Sequence, residues 1–88
     1  MAVIIKSKKI LCDYEYNKNN IFAGGMITLD ENKSLKIFQG VIYGEEMKMI
    51  GIFEWDINDK LNILKTNNPE FIKEIISDIL IELKKEGL

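Results

Sequence analysis

The segment "IFAGGMITLDENKSLKIFQGVIY" (residues 21–43) decides the fold. Two runs rich in Ile, Phe, Val and Thr flank the polar "ENKS" (31–34). β-Branched and aromatic runs separated by turn-forming residues read as neighbouring antiparallel strands. Gly24 and Gly25 stand in the middle of the first run, and Gly40 in the second. Glycine costs backbone entropy in a strand and packs no side chain. Its presence there marks a bend or a close approach of backbones.

The same pattern continues on both sides. "NKNN" (17–20) sets off "ILCDYEY", "GEE" (44–46) leads into "MKMIGIFEWDI", and "NDK" (58–60) into "LNILKT". "AVIIK" offers a short first strand, or runs into the next through a bulge near Ser7. Strands are therefore expected at about 3–6, 10–16, 21–29, 35–43, 47–57 and 61–66, in a meander.

The period changes in "NNPEFIKEIISDILIELKKEGL" (67–88). Asn68 suits an N-cap, and Pro69 the first helical position, where a missing N–H is harmless. Glu70 opposes the positive end of the helix dipole, while Lys84 and Lys85 sit at the negative end. Gly87 is placed to stop the helix. Phe71, Ile72, Ile75, Ile76, Ile79, Leu80 and Leu83 recur at helical spacing and form one apolar face. Ile81 falls on the opposite, polar face. The pattern predicts a helix over about 69–86. At 88 residues the chain makes one domain, residues 1–88. The fold class is α+β: a curved antiparallel β-meander of five to six strands with one C-terminal α-helix packed on one face.

Simple hairpin registers pair Tyr16 with Ile21, Asp30 with Leu35 and Tyr43 with Lys48. One face then collects Ile10, Cys12, Tyr14, Tyr16, Ile21, Ala23, Gly25, Ile27, Leu29, Phe38, Gly40, Ile42, Met47, Met49, Gly51, Phe53, Trp55 and Ile57. The helix is expected there. Gly25, Gly40 and Gly51 become cross-strand neighbours beside Cys12, a line along which the sheet bends and the helix comes close. The other face carries Leu11, Phe22, Leu35 and Tyr43. At its centre lie Met26, Ile37, Val41, Ile50 and Ile52, and Asp13, Glu15, Glu54 and Asp56 lie at its margins. A solvated antiparallel face is mostly polar. An apolar patch rimmed by charge reads instead as a partner interface.

Composition removes many chemistries. All twelve basic residues are lysine, and histidine is absent. No guanidinium fork grips phosphate or guanine, and no imidazole serves as base or metal ligand. The serine–lysine neighbours Ser7–Lys8 and Ser34–Lys36 read as turns. The pairs Asp13/Glu15 and Glu54/Asp56 read as solvated strand positions rather than a glycosidase dyad. Cys12 is expected to pack as a small hydrophobe. "AGGM" precedes no helix and lacks the GK[ST] of a phosphate loop. No catalytic residue, cofactor site or metal site is expected.

Charge is uneven. Residues 1–12 carry three lysines and no acid, whereas residues 13–59 carry nine acids against four lysines. "KSKK" is too small a basic cluster to argue for nucleic acid. The single cysteine fits a reducing cytoplasm. No run is long enough to span a membrane, and "MAVIIKSKKI" does not read as a secretory leader.

These exclusions point to a small non-enzymatic interaction protein. Its expected partner is a protein with a basic surface, or a second copy of the chain as a homodimer. Small size, Ile/Asn/Lys-rich composition and acidic skew suit a phage or mobile-element inhibitor or adaptor that occludes a nucleic-acid-handling complex. The alternative is a small-ligand or sensor domain, with a pocket between sheet and helix lined by Tyr14, Tyr16, Phe38, Phe53 and Trp55.

Overall fold

The computed structural model describes residues 2–3, 8–58 and 60–88. The strand expected at 3–6 and the bulge near Ser7 fall on residues 4–7, outside the described residues. Five strands follow in chain order: β1 (Ile10–Lys18), β2 (Ile21–Leu29), β3 (Leu35–Tyr43), β4 (Met49–Asp56) and β5 (Leu61–Lys65). Each pairs antiparallel with the next, so the sheet order is β1-β2-β3-β4-β5. The helix α1 (Pro69–Lys85) closes the chain. This is the α+β meander expected from the sequence.

Turn chemistry sets the registers. Asn19 and Asn20 both adopt positive φ, 52° and 65°. Two consecutive left-handed residues make the hairpin turn that matches strand twist, and asparagine tolerates that conformation better than most residues. The turn is therefore two residues long rather than four, with Lys18 opposite Ile21. β1 runs two residues further than expected, and Tyr14 rather than Cys12 lies opposite Gly25. A shift of two keeps each side chain on its face.

Between β2 and β3, the Asp30 carboxylate accepts hydrogen bonds from the N–H groups of Asn32 at 2.8 Å and Ser34 at 2.9 Å. Those bonds hold the Asp30 carboxyl below its ordinary pKa, with further help from Lys36. Asp56 repeats the device between β4 and β5, accepting from Asn58 at 2.9 Å and Lys60 at 3.4 Å. The short side chain thus supplies the turn with acceptors that the strands no longer provide.

Three irregularities correct the simple registers. A shift between Thr28 and Leu29 sets Leu35 opposite Leu29, and both are buried. Leu35 therefore belongs to the inner face, not the outer. Glu46 and Met47 take positive φ in a 3-10 turn, and a second shift lies between Ile42 and Tyr43. β4 starts only at Met49, and Met47 is exposed rather than in the core. Gly51 pairs with Ile42, and Gly40 with Phe53, so Gly51 is not in the glycine row. A third shift falls between Ile52 and Phe53. Ile57, also expected inside, lies beyond the end of β4 and is exposed.

α1 has the caps its sequence predicts, but Phe71, expected on its apolar face, is exposed at the first turn. The Asn68 side chain accepts from the Phe71 N–H at 3.3 Å, with Pro69 at the first turn. At the far end Leu88 N–H reaches the Leu83 carbonyl at 3.1 Å, and Gly87 N–H the Lys84 carbonyl at 3.0 Å. Gly87 has φ 83°, the left-handed stop that this pair of bonds needs. Ile72, Ile75, Ile76, Ile79 and Leu83 are buried against Ala23, Ile27, Leu29, Leu35, Phe38, Ile42, Phe53 and Trp55. Burying one such side chain contributes roughly 1.5–3 kcal/mol. At the centre Phe38 makes a T-shaped contact with Phe53, ring centroids 5.1 Å apart, and a tilted one with Trp55 at 5.6 Å.

The glycines do two separate jobs. At Gly51 a Cβ would lie 2.9 Å from Ile72 Cδ1, so its missing side chain lets α1 seat on the sheet. Gly25 and Gly40 are direct partners. A Cβ on Gly25 would lie 2.6 Å from Gly40 Cα and would also strike the Gln39 carbonyl. Here the two backbones themselves are in contact, so the strands coil tightly at this point.

The Tyr14 ring lies over this crossing, T-shaped to Phe38 at 6.2 Å. Its hydroxyl occupies the space that a side chain on Gly40 would fill. That hydroxyl is buried, with no hydrogen-bond partner among the described residues, and burial pushes its pKa up. Tyr14→Phe keeps the ring and removes an uncompensated polar atom. The expected result is a urea midpoint unchanged or raised, by up to about 1 kcal/mol of stability. A loss of that size instead would show that the hydroxyl has a partner.

Candidate functional site

Pairing brings the outer-face residues into rows. Asp13, Met26, Gln39, Glu54 and Asn62 form one row from β1 to β5. Glu15, Gly24, Val41 and Ile52 form the next. Leu11, Thr28, Ile37 and Asp56 make a third. Ile50 stands at the β3–β4 corner, beside Gly44 and packed against the core. Met26, Ile37, Val41, Ile52, Asp13, Glu15 and Glu54 thus share the face, whereas Ile50, expected at its centre, falls at the register shift and packs against the core beside Phe71 and Ile72 of α1.

Asp56 lies at the end of the same face, but its carboxylate is engaged by its own turn. Asp13, Glu15 and Glu54 differ. Among the described residues, no lysine lies within ion-pair distance of them. Their charge is available to a partner.

The face is not flat. Gly24, Met26, Gln39, Val41, Ile52 and Leu64 surround a shallow groove of about 280 Å³. Gly24 projects no side chain, so the floor there is backbone. Met26 is 36% exposed and Leu64 65%. A second groove of about 520 Å³ runs past Phe22, Gly24 and Tyr43 to Met47. Leu64 and Met47 are the residues that sequence reasoning missed. The alternation in "LNILK" carries a signal for Leu64, since Asn62 and Leu64 share a parity. Nothing in the sequence announces the positive φ that turns Met47 outward.

Between sheet and helix, Phe38, Phe53 and Trp55 pack on one another and on Ile72, Ile76 and Ile79. A groove of about 270 Å³ opens where Met49, Ile50 and Lys65 meet Asn68, Phe71 and Ile72. Cys12 is half-buried against the core, opposite Ile27. Among the described residues, no group of three or more Cys, Asp or Glu side chains is placed to hold a metal ion. No described helix is long and apolar enough to cross a membrane.

Comparisons with protein families, with curated proteins and with solved structures find no match.

Proposed function

We propose that the protein binds another protein through the outer face of its sheet. One observation carries this reading: an apolar strip of Met26, Val41, Ile52 and Leu64 surrounds an open groove, flanked by Asp13, Glu15 and Glu54, which have no lysine partner among the described residues. Apolar side chains on a sheet face stabilise the fold only if something covers them. The acids favour a partner whose surface is basic, and they speed its encounter at low salt. They also disfavour stacking two copies face to face, which would bring like charges together. A larger macromolecule with a positively charged site is therefore the preferred partner, ahead of a homodimer.

Proteins that handle nucleic acid carry such sites. The role proposed is that of an inhibitor or adaptor that covers one of them, encoded by a phage or mobile element and acting in a reducing cytoplasm. The lone cysteine and the lysine-only basic set support that setting. The chain performs no chemistry of its own in this reading.

A Val41→Glu, Ile52→Glu double variant tests the surface. Both side chains are half-buried on the outer face, opposite one another in the ladder. The variant is expected to keep its circular dichroism and to recover at least 100-fold less partner in a pull-down from the native cell, an effect of about 2.7 kcal/mol or more. Undiminished capture by a folded variant would sink the proposal. A dimer-to-monomer change in sedimentation would assign the face to a second copy instead.

A further inference from the structure

A different surface suggests a second mode of recognition. β1 is an edge strand of nine residues, with β2 on one side and no described strand on the other. A two-residue hairpin turn closes on a hydrogen-bonded pair, here Lys18 with Ile21. Alternate residues then bond inward to β2. Those between them, Leu11, Asp13, Glu15 and Asn17, turn their N–H and C=O groups out from the edge. Among the described residues this row is unpaired, and such a row is a template for one more strand.

Natural edges are blocked by charged side chains, lysine above all, by proline or by a covering element. From Leu11 to Asn17 there is no proline and no lysine. The charges present are Asp13 and Glu15, and their neighbours in β2 are Met26 and Gly24. No cation stands across from them on the β2 side. Beneath the same edge lies a groove of about 490 Å³ between β1 and the last turns of α1. Tyr16, Ile81 and Leu83 line it together with Glu15, Asn17, Lys18, Asp78, Glu82 and Glu86. Ile81 is 52% exposed there, so the stray isoleucine on the polar face of α1 is part of a feature. Asp78 at this end is already engaged by Lys18 at 3.6 Å.

We infer that β1 accepts an extended segment of another protein as a sixth, edge-on strand, one that alternates lysine or arginine with apolar residues. Alternation follows from the pleat. Residues opposite Asp13 and Glu15 share the outer face and meet their carboxylates. The residues between them point to the inner side, toward Tyr16, Ile81 and Leu83. Main-chain bonds supply affinity, and the alternating side chains supply choice. The acids also refuse the commonest wrong occupant. Antiparallel pairing of two β1 strands about Tyr14 would set Asp13 against Glu15, like charge against like. This mode uses the sheet edge and is independent of the outer-face reading.

The probe is a capped nine-residue peptide alternating lysine and valine, titrated into the ¹⁵N-labelled full chain. Amide exchange at Leu11, Asp13, Glu15 and Asn17 is expected to slow at least tenfold at saturation. The same peptide N-methylated at each lysine, and one alternating glutamate and valine, are expected to leave exchange unchanged. A Asp13→Lys, Glu15→Lys protein should bind the lysine peptide about tenfold more weakly at low salt. Because the methylated peptide tests the backbone bonds on unaltered protein, a poorly folded variant does not spoil the result. The inference is overturned if the β1 amides do not respond. Equal response to the glutamate or methylated peptide overturns it too, as do shifts confined to outer-face residues such as Val41 and Ile52. Protection of β1 in the free protein by self-association would also refute it.

Discussion

Gly25→Ala is expected to abolish the native fold, or to leave it only marginally populated. The added methyl would lie 2.6 Å from Gly40 Cα and 2.9 Å from the Gln39 carbonyl carbon. These are backbone atoms in the central ladder, so no rotamer change relieves the contact. Overpacking against movable side chains costs about 1–3 kcal/mol. Parting two paired strands costs more, because ladder hydrogen bonds stretch with it; roughly 3–5 kcal/mol is expected, a large share of the 5–15 typical of a small domain. Urea unfolding followed by circular dichroism measures it. A midpoint close to that of the parent would show that β2 and β3 do not meet as closely as the coiled crossing requires. Gly51→Ala makes a useful contrast. Its methyl would press on Ile72, 2.9 Å from Cδ1 and 3.2 Å from Cγ1, so the strain falls on the seating of α1 while the strand ladder is spared.

Phe38→Ala should be the most damaging truncation of a side chain. Phe38 is fully buried, and its ring touches those of Tyr14, Phe53 and Trp55. Removing it leaves a cavity at the meeting point of β1, β3 and β4 that rigid aromatic neighbours cannot fill. The expected loss is about 3–5 kcal/mol, read from the shift in urea midpoint at constant slope. Phe38→Leu should lose clearly less, since most of the volume is retained. Equal losses for the two would point to ring–ring geometry rather than volume as the source of stability.

Much of this architecture was legible in the sequence because it rests on period and punctuation. Strands β2 and β3 begin and end where the alternation does, and α1 is bounded by Asn68 and Gly87, as its caps require. Facing survived even where register did not. "NKNN" reads as a four-residue loop, but Asn19 and Asn20 turn in two, and a slip of two preserves parity. That is why Tyr14 stayed inside although its partner was misjudged. The failures sit at the shifts. A bulge needs no particular residue, so nothing marked the reversal of Leu35 or the turn that exposes Met47. The candidate face was legible for the same reason as the strands: Met26, Val41, Ile52 and Glu54 follow from parity alone. The groove among them was not, because it depends on coiling at Gly25 and Gly40.

The strand order has a consequence for how the chain finds this structure. Every ladder joins strands consecutive in sequence, through connections of a few residues. Loop-closure entropy is therefore small at each step, and no pairing waits for a distant segment. The sheet can grow hairpin by hairpin as a zipper from either end. Only the helix must reach back across strands already in place, to cover Phe38 and Ile42. Its docking is then the event that converts a growing ribbon into a cooperative globule, and Gly51 is the notch into which Ile72 locks.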